Sequence, residues 1–204
     1  MRNHLGLLML FVAAALLLDG CARSSGPRGG VPPQRVDPSV QSRGEGTGIG
    51  SQDLVEVTDK MARSILSTPK IAHASTPPVI ALLPVINDTR FPINRELFNR
   101  RIKALLNTQC EGKVYFVARD RIESVERERE LKREGLVTSG GEGDLAGADF
   151  FLTGELTGLS QAASTGRSDY VLYTFRLIDA ETSIEVWENF AEIKKEGLED
   201  AAYR

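Results

Sequence analysis

Three consecutive runs near the C-terminal end of the chain read as long β-strands. They are DFFLTGELTGLSQ (149–161), SDYVLYTFRLID (168–179) and IEVWENFAEIKK (184–195), joined by the short loops QAASTGR and AETS. The middle run alternates strictly: its one face would carry Tyr170, Leu172, Thr174 and Arg176, and its other face Val171, Tyr173, Phe175 and Leu177. Such alternation indicates half-buried strands, and short loops join antiparallel neighbours. The sequence therefore predicts an antiparallel meander here.

Helical and strand patterns alternate before the meander. They predict a helix at 53–66, a strand at VIALLPVIN (79–87), a helix at 95–107 that Asn94 can cap, a strand at 113–118 and a charged helix at 119–134. The order helix, β, α, β, α, β, β, β predicts an α/β fold with a mixed sheet of about five strands. In it a parallel β-α-β-α-β unit precedes the meander, and three to four helices pack on the sheet. The charge run at 119–134 fits either an interaction helix or a solvated helix lying on the sheet.

The N-terminus has the pattern of a signal peptide, residues 1–20. An apolar run, 5–18, has the length of a signal-peptide core and is short for a bilayer span. The string Leu18-Asp19-Gly20-Cys21 resembles the lipobox of bacterial lipoproteins, although Asp19 departs from that pattern. The resemblance implies cleavage between Gly20 and Cys21 and lipidation of Cys21. Alternatives are an ordinary secretory signal followed by a free thiol, and a buried core helix.

Residues 21–52 are rich in Gly, Pro, Ser and Arg and predict a flexible tether after the lipidated Cys21. The glycines of GEGTGIG (44–50) superficially resemble a dinucleotide-binding loop, but no strand precedes them, so a linker is the better interpretation. The globular domain is predicted at 53–204. Ala22 is not the Asp that retains lipoproteins in the inner membrane under the enterobacterial sorting rule. The resemblance to lipoproteins thus implies outer-membrane anchoring, with the domain in the periplasm.

Composition argues against several classes of function. The net charge is −3, and residues 22–50 carry +2, so the remaining chain carries −5. An acidic domain is not expected to bind nucleic acid. Of the two histidines, His4 leaves with the signal and His73 lies in a linker, so no His is available to activate a nucleophile. We predict a protein that is not an enzyme, with no cofactor, no metal and no small-molecule substrate. Cys110 is interpreted as a half-buried bystander.

Several segments together resemble the LpoB family of penicillin-binding-protein activators. They are VTDKMARSILSTPKIAHASTPPVIALLPVINDTRFPINRELFNRRIKALL, VYFVARDRIESVERERELKREGL, GADFFLTGELTGL and SDYVLYTFRLIDAETSIEVWENFAEIKKEG. The resemblance covers about residues 55–197. It implies a domain similar to the N-terminal domain of TolB. It also implies an outer-membrane lipoprotein that stimulates a bifunctional class A penicillin-binding protein, a peptidoglycan synthase.

The loop after the first predicted strand is the predicted contact surface: Asp88, Arg90, Phe91 and Asn94. Loops at the carboxyl ends of strands commonly carry sites in such folds. Phe91 would be the aromatic anchor of this surface and Arg90 a charge at its rim. The alternative is a merely structural connection capped by Asn94.

The sequence by itself does not exclude two other functions. Curli-export lipoproteins share a related α/β domain, so a structural or secretion-accessory envelope lipoprotein is one alternative. A carboxylate-based envelope hydrolase is the other, because the separation of two carboxylates in space cannot be read from a sequence.

Overall fold

The sheet of this protein is mixed. Its parallel half corresponds to the alternating helix and strand patterns of the sequence, and its antiparallel half corresponds to the predicted meander. The structure, a computed structural model, describes residues 34–42, 46–109, 112–138 and 145–197. The helices are α1 (Ser51–Leu66), α2 (Pro69–Ala72), α3 (Glu96–Gln109) and α4 (Ile122–Arg133), the last preceded by a 3-10 turn, Arg119–Arg121. The strands are β1 (Val79–Leu82), β2 (Ile86–Asp88), β3 (Tyr115–Phe116), β4 (Phe150–Ala163), β5 (Gly166–Asp179) and β6 (Glu185–Gly197).

The strand order is β3-β1-β4-β5-β6, and β2 also pairs with β4. The strands β1, β3 and β4 are parallel, whereas β4, β5 and β6 are antiparallel. This confirms the predicted α/β fold with its parallel unit followed by a meander. All six strands belong to the compact unit Asp37–Arg204.

The sixth strand arises because the predicted run at 79–87 is interrupted. β1 pairs Leu82 with Leu152, but β2 pairs Ile86 with Glu155, so the register shifts by one residue between them. Pro84 lies in the interruption and has no N–H to give to the ladder. Asn99 of α3 stabilises the break, since its Nδ2 donates a hydrogen bond to the Leu83 carbonyl at 2.6 Å.

The core lies between one face of the sheet and helices α1 and α3. Its largest fully buried side chains include Tyr173, Phe98, Phe175, Met61, Ile65, Ile102, Leu152 and Leu156. The ring of Phe98 lies 5.7 Å from that of Tyr173 and 6.2 Å from that of Phe175. Gly154 permits this packing, because a Cβ there would lie 2.5 Å from Phe175 Cε1.

The charged helix α4 has no buried residue. Among its ion pairs are Arg127 with Glu130 at 2.7 Å and Lys132 with Glu128 at 3.9 Å. Both are exposed pairs along one helix, where each contributes only a few tenths of a kcal/mol. Among the described residues, no helix has the length and apolar character needed to cross a membrane.

The folded part begins earlier than the predicted residue 53. Thr47, Gly48 and Ile49 are buried, although the sequence places them in the tether. Lys195 of β6 donates hydrogen bonds to the Gly48 carbonyl at 2.9 Å and to Asp53 Oδ2 at 2.7 Å. The Gly-rich composition predicts a linker, but long-range contacts hold Thr47, Gly48 and Ile49 against the sheet.

Candidate functional site

The loop after β2, where the partner contact was predicted, is fixed by its own side chains. Asn87 Nδ2 donates to the Phe91 carbonyl at 2.8 Å, and Asn87 Oδ1 accepts from Thr89 Oγ1 at 2.7 Å. The N–H of Phe91 donates to Thr89 Oγ1 at 3.2 Å. Short polar side chains of this kind replace the ladder bonds that a strand would have made.

Phe91 does not lie on the surface. Its exposed fraction is 2%, and it belongs to the hydrophobic core. The prediction of Phe91 as the aromatic anchor of a contact surface is therefore wrong, because its ring is not available at the surface. A loop aromatic that closes the core has the same local sequence as one that faces solvent, and only tertiary packing separates them.

Asn94 is exposed and lies at the start of α3. Its Oδ1 accepts a hydrogen bond from the Glu96 N–H at 3.2 Å, and its carbonyl accepts one from the Leu97 N–H at 3.2 Å. The predicted cap is thus present, since the side chain satisfies a backbone donor of the first turn. Whether Asn94 also contacts a partner stays a prediction.

Arg90 is held by a buried carboxylate. Its Nε donates to Asp169 Oδ1 at 2.9 Å and its Nη2 to Asp169 Oδ2 at 2.6 Å, and the guanidinium lies 4.3 Å from the centre of the Phe91 ring. The Asp169 side chain is fully buried, and Thr47 Oγ1 donates a further hydrogen bond to it. This cluster joins the loop, the strand β5 and Thr47, a buried residue within the predicted tether.

The electrostatics of Asp169 are set by two opposing effects. Burial raises its pKa, but the hydrogen bonds from Arg90, Ser160 and Thr47, together with the Arg90 charge, lower it well below the ordinary value. The carboxylate is therefore charged at neutral pH. A buried charge that is paired in this way is a structural element of the fold.

Asp88 points to a different part of the molecule, the face of the sheet opposite the core. We define the outer face as Ile86 and Asp88 of β2, the odd residues 151–159 of β4, the even residues 170–178 of β5, and Glu185 with the even residues 188–196 of β6. None of these side chains is buried. The face along β2, β4, β5 and β6 is thus open to solvent.

Apolar side chains lie across the middle of the outer face. Ile86 is 52% exposed and Phe190 50%, and they occupy one row of the sheet with Glu155 and Thr174 between them. Leu172 lies in the next row and is half-buried. We call Ile86, Leu172 and Phe190 the apolar strip. It spans about 15 Å of the face, because four strands lie about 4.8 Å apart, and the polar residues Glu155 and Thr174 interrupt it.

Carboxylates surround the apolar strip. The outer face carries six acidic side chains, Asp88, Glu155, Glu185, Glu188, Glu192 and Glu196, against two basic ones, Arg176 and Lys194. The Arg176 guanidinium lies 3.7 Å from Glu155 Oε2 and 4.0 Å from Glu185 Oε2. Lys194 lies 2.7 Å from Glu196 Oε1, and Lys60 of α1 lies 5.6 Å from the centre of the Phe190 ring. The six acidic and two basic side chains give the outer face itself a net charge of −4.

Crowding of carboxylates shifts their titration. Burial first, and then the neighbouring Glu188 carboxylate, raise the pKa of Glu185. The hydrogen bond that Tyr170 donates to Glu192 Oε1 at 2.7 Å raises the pKa of Tyr170. In contrast, Lys194 lies 2.7 Å from Glu196 Oε1 and lowers the pKa of that carboxyl.

A comparison of this sequence with the profiles of known protein families assigns the chain to a family. The sequence profile described as "Peptidoglycan-synthase activator LpoB" matches residues 53–193, which is more than half of the chain. The chain belongs to the LpoB family. The match extends from α1 to the last strand of the sheet, so it covers the core, the loop after β2 and most of the outer face.

Solved structures of LpoB are similar at low identity. The C-terminal domain of Escherichia coli LpoB is 14% identical with a TM-score of 0.40, and that of Salmonella enterica is 11% identical with a TM-score of 0.43. Both comparisons cover 69% of this chain and 98% of the other. Lipoprotein GNA1162 from Neisseria meningitidis is 17% identical over 59% of this chain and 84% of its own, with a TM-score of 0.34. No curated protein sequence matches the chain.

The remaining predicted residues lie outside the described part of this LpoB-family chain. Gly20, Cys21 and Cys110 are among them, as is the signal peptide at 1–20. Cleavage, lipidation and the bystander interpretation of Cys110 stay predictions. Within the described part, no group of three or more His, Cys, Asp or Glu side chains is arranged to hold a metal ion.

The outer face was the part of the site that sequence reasoning missed. The alternation at 168–179 already assigned Tyr170, Leu172, Thr174 and Arg176 to one face. The excess of acidic over basic side chains on that face depends on the register of β4 and β6 against β5. A sequence pattern alone does not give this register.

Proposed function

We propose that this chain is an outer-membrane lipoprotein that binds and stimulates a bifunctional class A penicillin-binding protein from the periplasmic side. The single observation that carries the proposal is the match of the LpoB-family profile to residues 53–193. The family is described as an activator of peptidoglycan synthases. In this role the protein is a regulator and itself catalyses no step.

The predicted N-terminus supports the proposal. Lipidated Cys21 would fasten the protein to the membrane, because two or more acyl chains give stable attachment where one is marginal. The segment between Cys21 and Thr47, about 25 residues, can extend to about 90 Å, so the domain would reach a synthase at a distance from its own membrane. Mass spectrometry of the mature N-terminus tests this directly: an acylated Cys21 is expected, and Cys21→Ala should release the protein from the membrane fraction.

The domain offers two surfaces for the synthase. One is the predicted loop, of which Asp88, Arg90 and Asn94 stay proposed contacts. The other is the outer face, which includes Asp88, carries the exposed apolar side chains of Ile86 and Phe190, and has more acidic than basic side chains. We favour the outer face, since Phe91 is buried and Arg90 is paired with Asp169.

The test is the activity of a purified synthase with and without this protein. Polymerisation of lipid-linked precursor and formation of peptide cross-links are each measured. The protein should be inert alone and should raise both rates when the synthase is present. Release of fragments from purified peptidoglycan by this protein alone would instead support a hydrolase, and no effect on any class A synthase encoded in the same genome would contradict the proposal.

A further inference from the structure

The outer face has a charge pattern that restricts its partner. Its acidic side chains outnumber its basic ones by six to two, and the apolar strip of Ile86, Leu172 and Phe190 runs between them. An apolar centre with a polar rim is the usual anatomy of a protein interface. The rim here has one dominant sign, so it favours partners of the opposite sign.

Neighbouring carboxylates repel each other in the unbound domain. The Glu188 carboxylate lies close enough to Glu185 to raise the pKa of the Glu185 carboxyl, and Arg176 is shared between Glu185 and Glu155 at 4.0 and 3.7 Å. Asp88 is exposed at the end of β2 and has no ion pair among the described residues. Cations on a binding partner would relieve this repulsion. The resulting gain in electrostatic free energy exists only in the complex.

The same pattern disfavours two other occupants. A second copy bound face to face by two-fold symmetry would bring two acidic surfaces together, because such an interface uses the same patch on both subunits. An anionic lipid surface would be repelled for the same reason. What remains is a protein surface that carries Lys or Arg around an apolar patch.

We propose that the outer face binds a basic surface with an apolar centre on the peptidoglycan synthase. Asp88, Glu188 and Glu192 pair with its cations, and Phe190 and Leu172 contact its apolar centre. This inference rests on the proposed function and adds the chemistry of the partner's docking surface. It makes the association dependent on ionic strength, since exposed charges are screened by salt.

The test measures binding of the full-length protein, purified in detergent, to a purified full-length class A penicillin-binding protein encoded in the same genome. Asp88→Lys with Glu188→Lys reverses two exposed charges of the outer face. We expect an affinity at least about tenfold weaker and a smaller dependence on salt between about 50 and about 300 mM NaCl. The matched control, Glu56→Lys with Glu126→Lys, reverses two exposed charges elsewhere and should bind within about twofold of the wild type.

Two further variants and one control variant keep the test decisive. Asp88→Asn with Glu188→Gln only neutralises the charges, so it covers the case in which reversal unfolds the domain, and it should weaken binding in the same direction. Phe190→Ala should weaken binding, whereas Leu136→Ala, at an exposed apolar residue outside the outer face, should not. Thermal unfolding of each variant checks that the fold is kept.

The outcomes separate the two proposals. If the wild type binds no class A synthase, the proposed function fails and the docking surface with it. If the wild type binds and activates a synthase but reversal, neutralisation and salt leave the affinity unchanged, the basic partner surface is wrong and the proposed function stands. Weaker binding of the outer-face variants alone supports both.

Discussion

Arg90 and Asp169 join the loop after β2 to the inner side of β5 through two hydrogen bonds of 2.9 and 2.6 Å. The Asp169 side chain is fully buried, and the Arg90 side chain is 29% exposed. Residue 90 lies 79 positions from residue 169 in the chain, so this contact ties together distant parts of the sequence. It explains why the loop is ordered although it has few backbone bonds of its own.

Arg90→Ala should destabilise the domain strongly. The substitution leaves Asp169 buried without its cation, and breaking a buried pair typically costs about 3–5 kcal/mol. Because Arg90 is partly exposed, we expect the lower end, about 3 kcal/mol, in the free energy of unfolding by urea. Arg95→Ala, at an exposed residue of the same loop, is the control and should change stability by less than about 0.5 kcal/mol. Equal effects of the two substitutions would contradict a structural role for Arg90.

The contribution of Asp169 should decline in acid. Its pKa is lower in the folded protein than in the unfolded chain, so the unfolded chain binds more protons as the pH falls. The stabilisation is complete above about pH 5 and is lost progressively below the unfolded pKa of about 3.9. The stability difference between the wild type and Asp169→Asn should therefore be smaller at about pH 3 than at about pH 7. A difference that stays constant over this range would count against the charged, paired carboxylate.

Thr47→Val tests the early start of the folded part. The substitution keeps the shape of the side chain but removes the hydroxyl that donates to Asp169. A hydrogen bond to a charged group contributes about 1.5–3 kcal/mol, so unfolding should become easier by roughly that amount. Thr138→Val, at an exposed residue, serves as the control. If residue 47 belonged to a free tether, both substitutions would be neutral.

Gly154→Ala tests the packing of β4 against β5. A Cβ at this position would lie 2.5 Å from Phe175 Cε1, so the ring must move. Overpacking of this kind costs about 1–3 kcal/mol. Phe175→Leu in the same chain should recover part of the cost, which a double-mutant cycle of unfolding free energies measures. Gly147→Ala has no atom within 4 Å of the added carbon and should be tolerated. Strictly additive costs for Gly154→Ala and Phe175→Leu would contradict the contact.

Much of the fold could be predicted from periodicity. The alternation at 168–179 identified the central strand β5 and its buried face, and the order of elements gave the parallel unit and the meander. The interruption between β1 and β2 at Pro84 was harder to predict, since a single apolar run does not reveal a register shift along β4. The strand at 113–118 is shorter in the structure, with only Tyr115 and Phe116 in the ladder.

The candidate site could be predicted only in part. Asn94 as a helix cap follows from local sequence, because a cap acts on residues two or three positions away. The burial of Phe91 and the pairing of Arg90 depend on residues far away in the chain, such as Asp169, and no local pattern contains that information. The same holds for Thr47 to Ile49, whose glycine-rich surroundings suggested a linker although Lys195 and Asp169 hold them.

The most direct test of the proposed function is the rate of peptidoglycan synthesis by a purified class A penicillin-binding protein with and without this protein. We expect the full-length protein to raise both the polymerisation and the cross-linking rates, in a manner that saturates with its concentration. Unchanged rates with every class A synthase encoded in the same genome, under conditions in which the protein is folded, would contradict the proposed function.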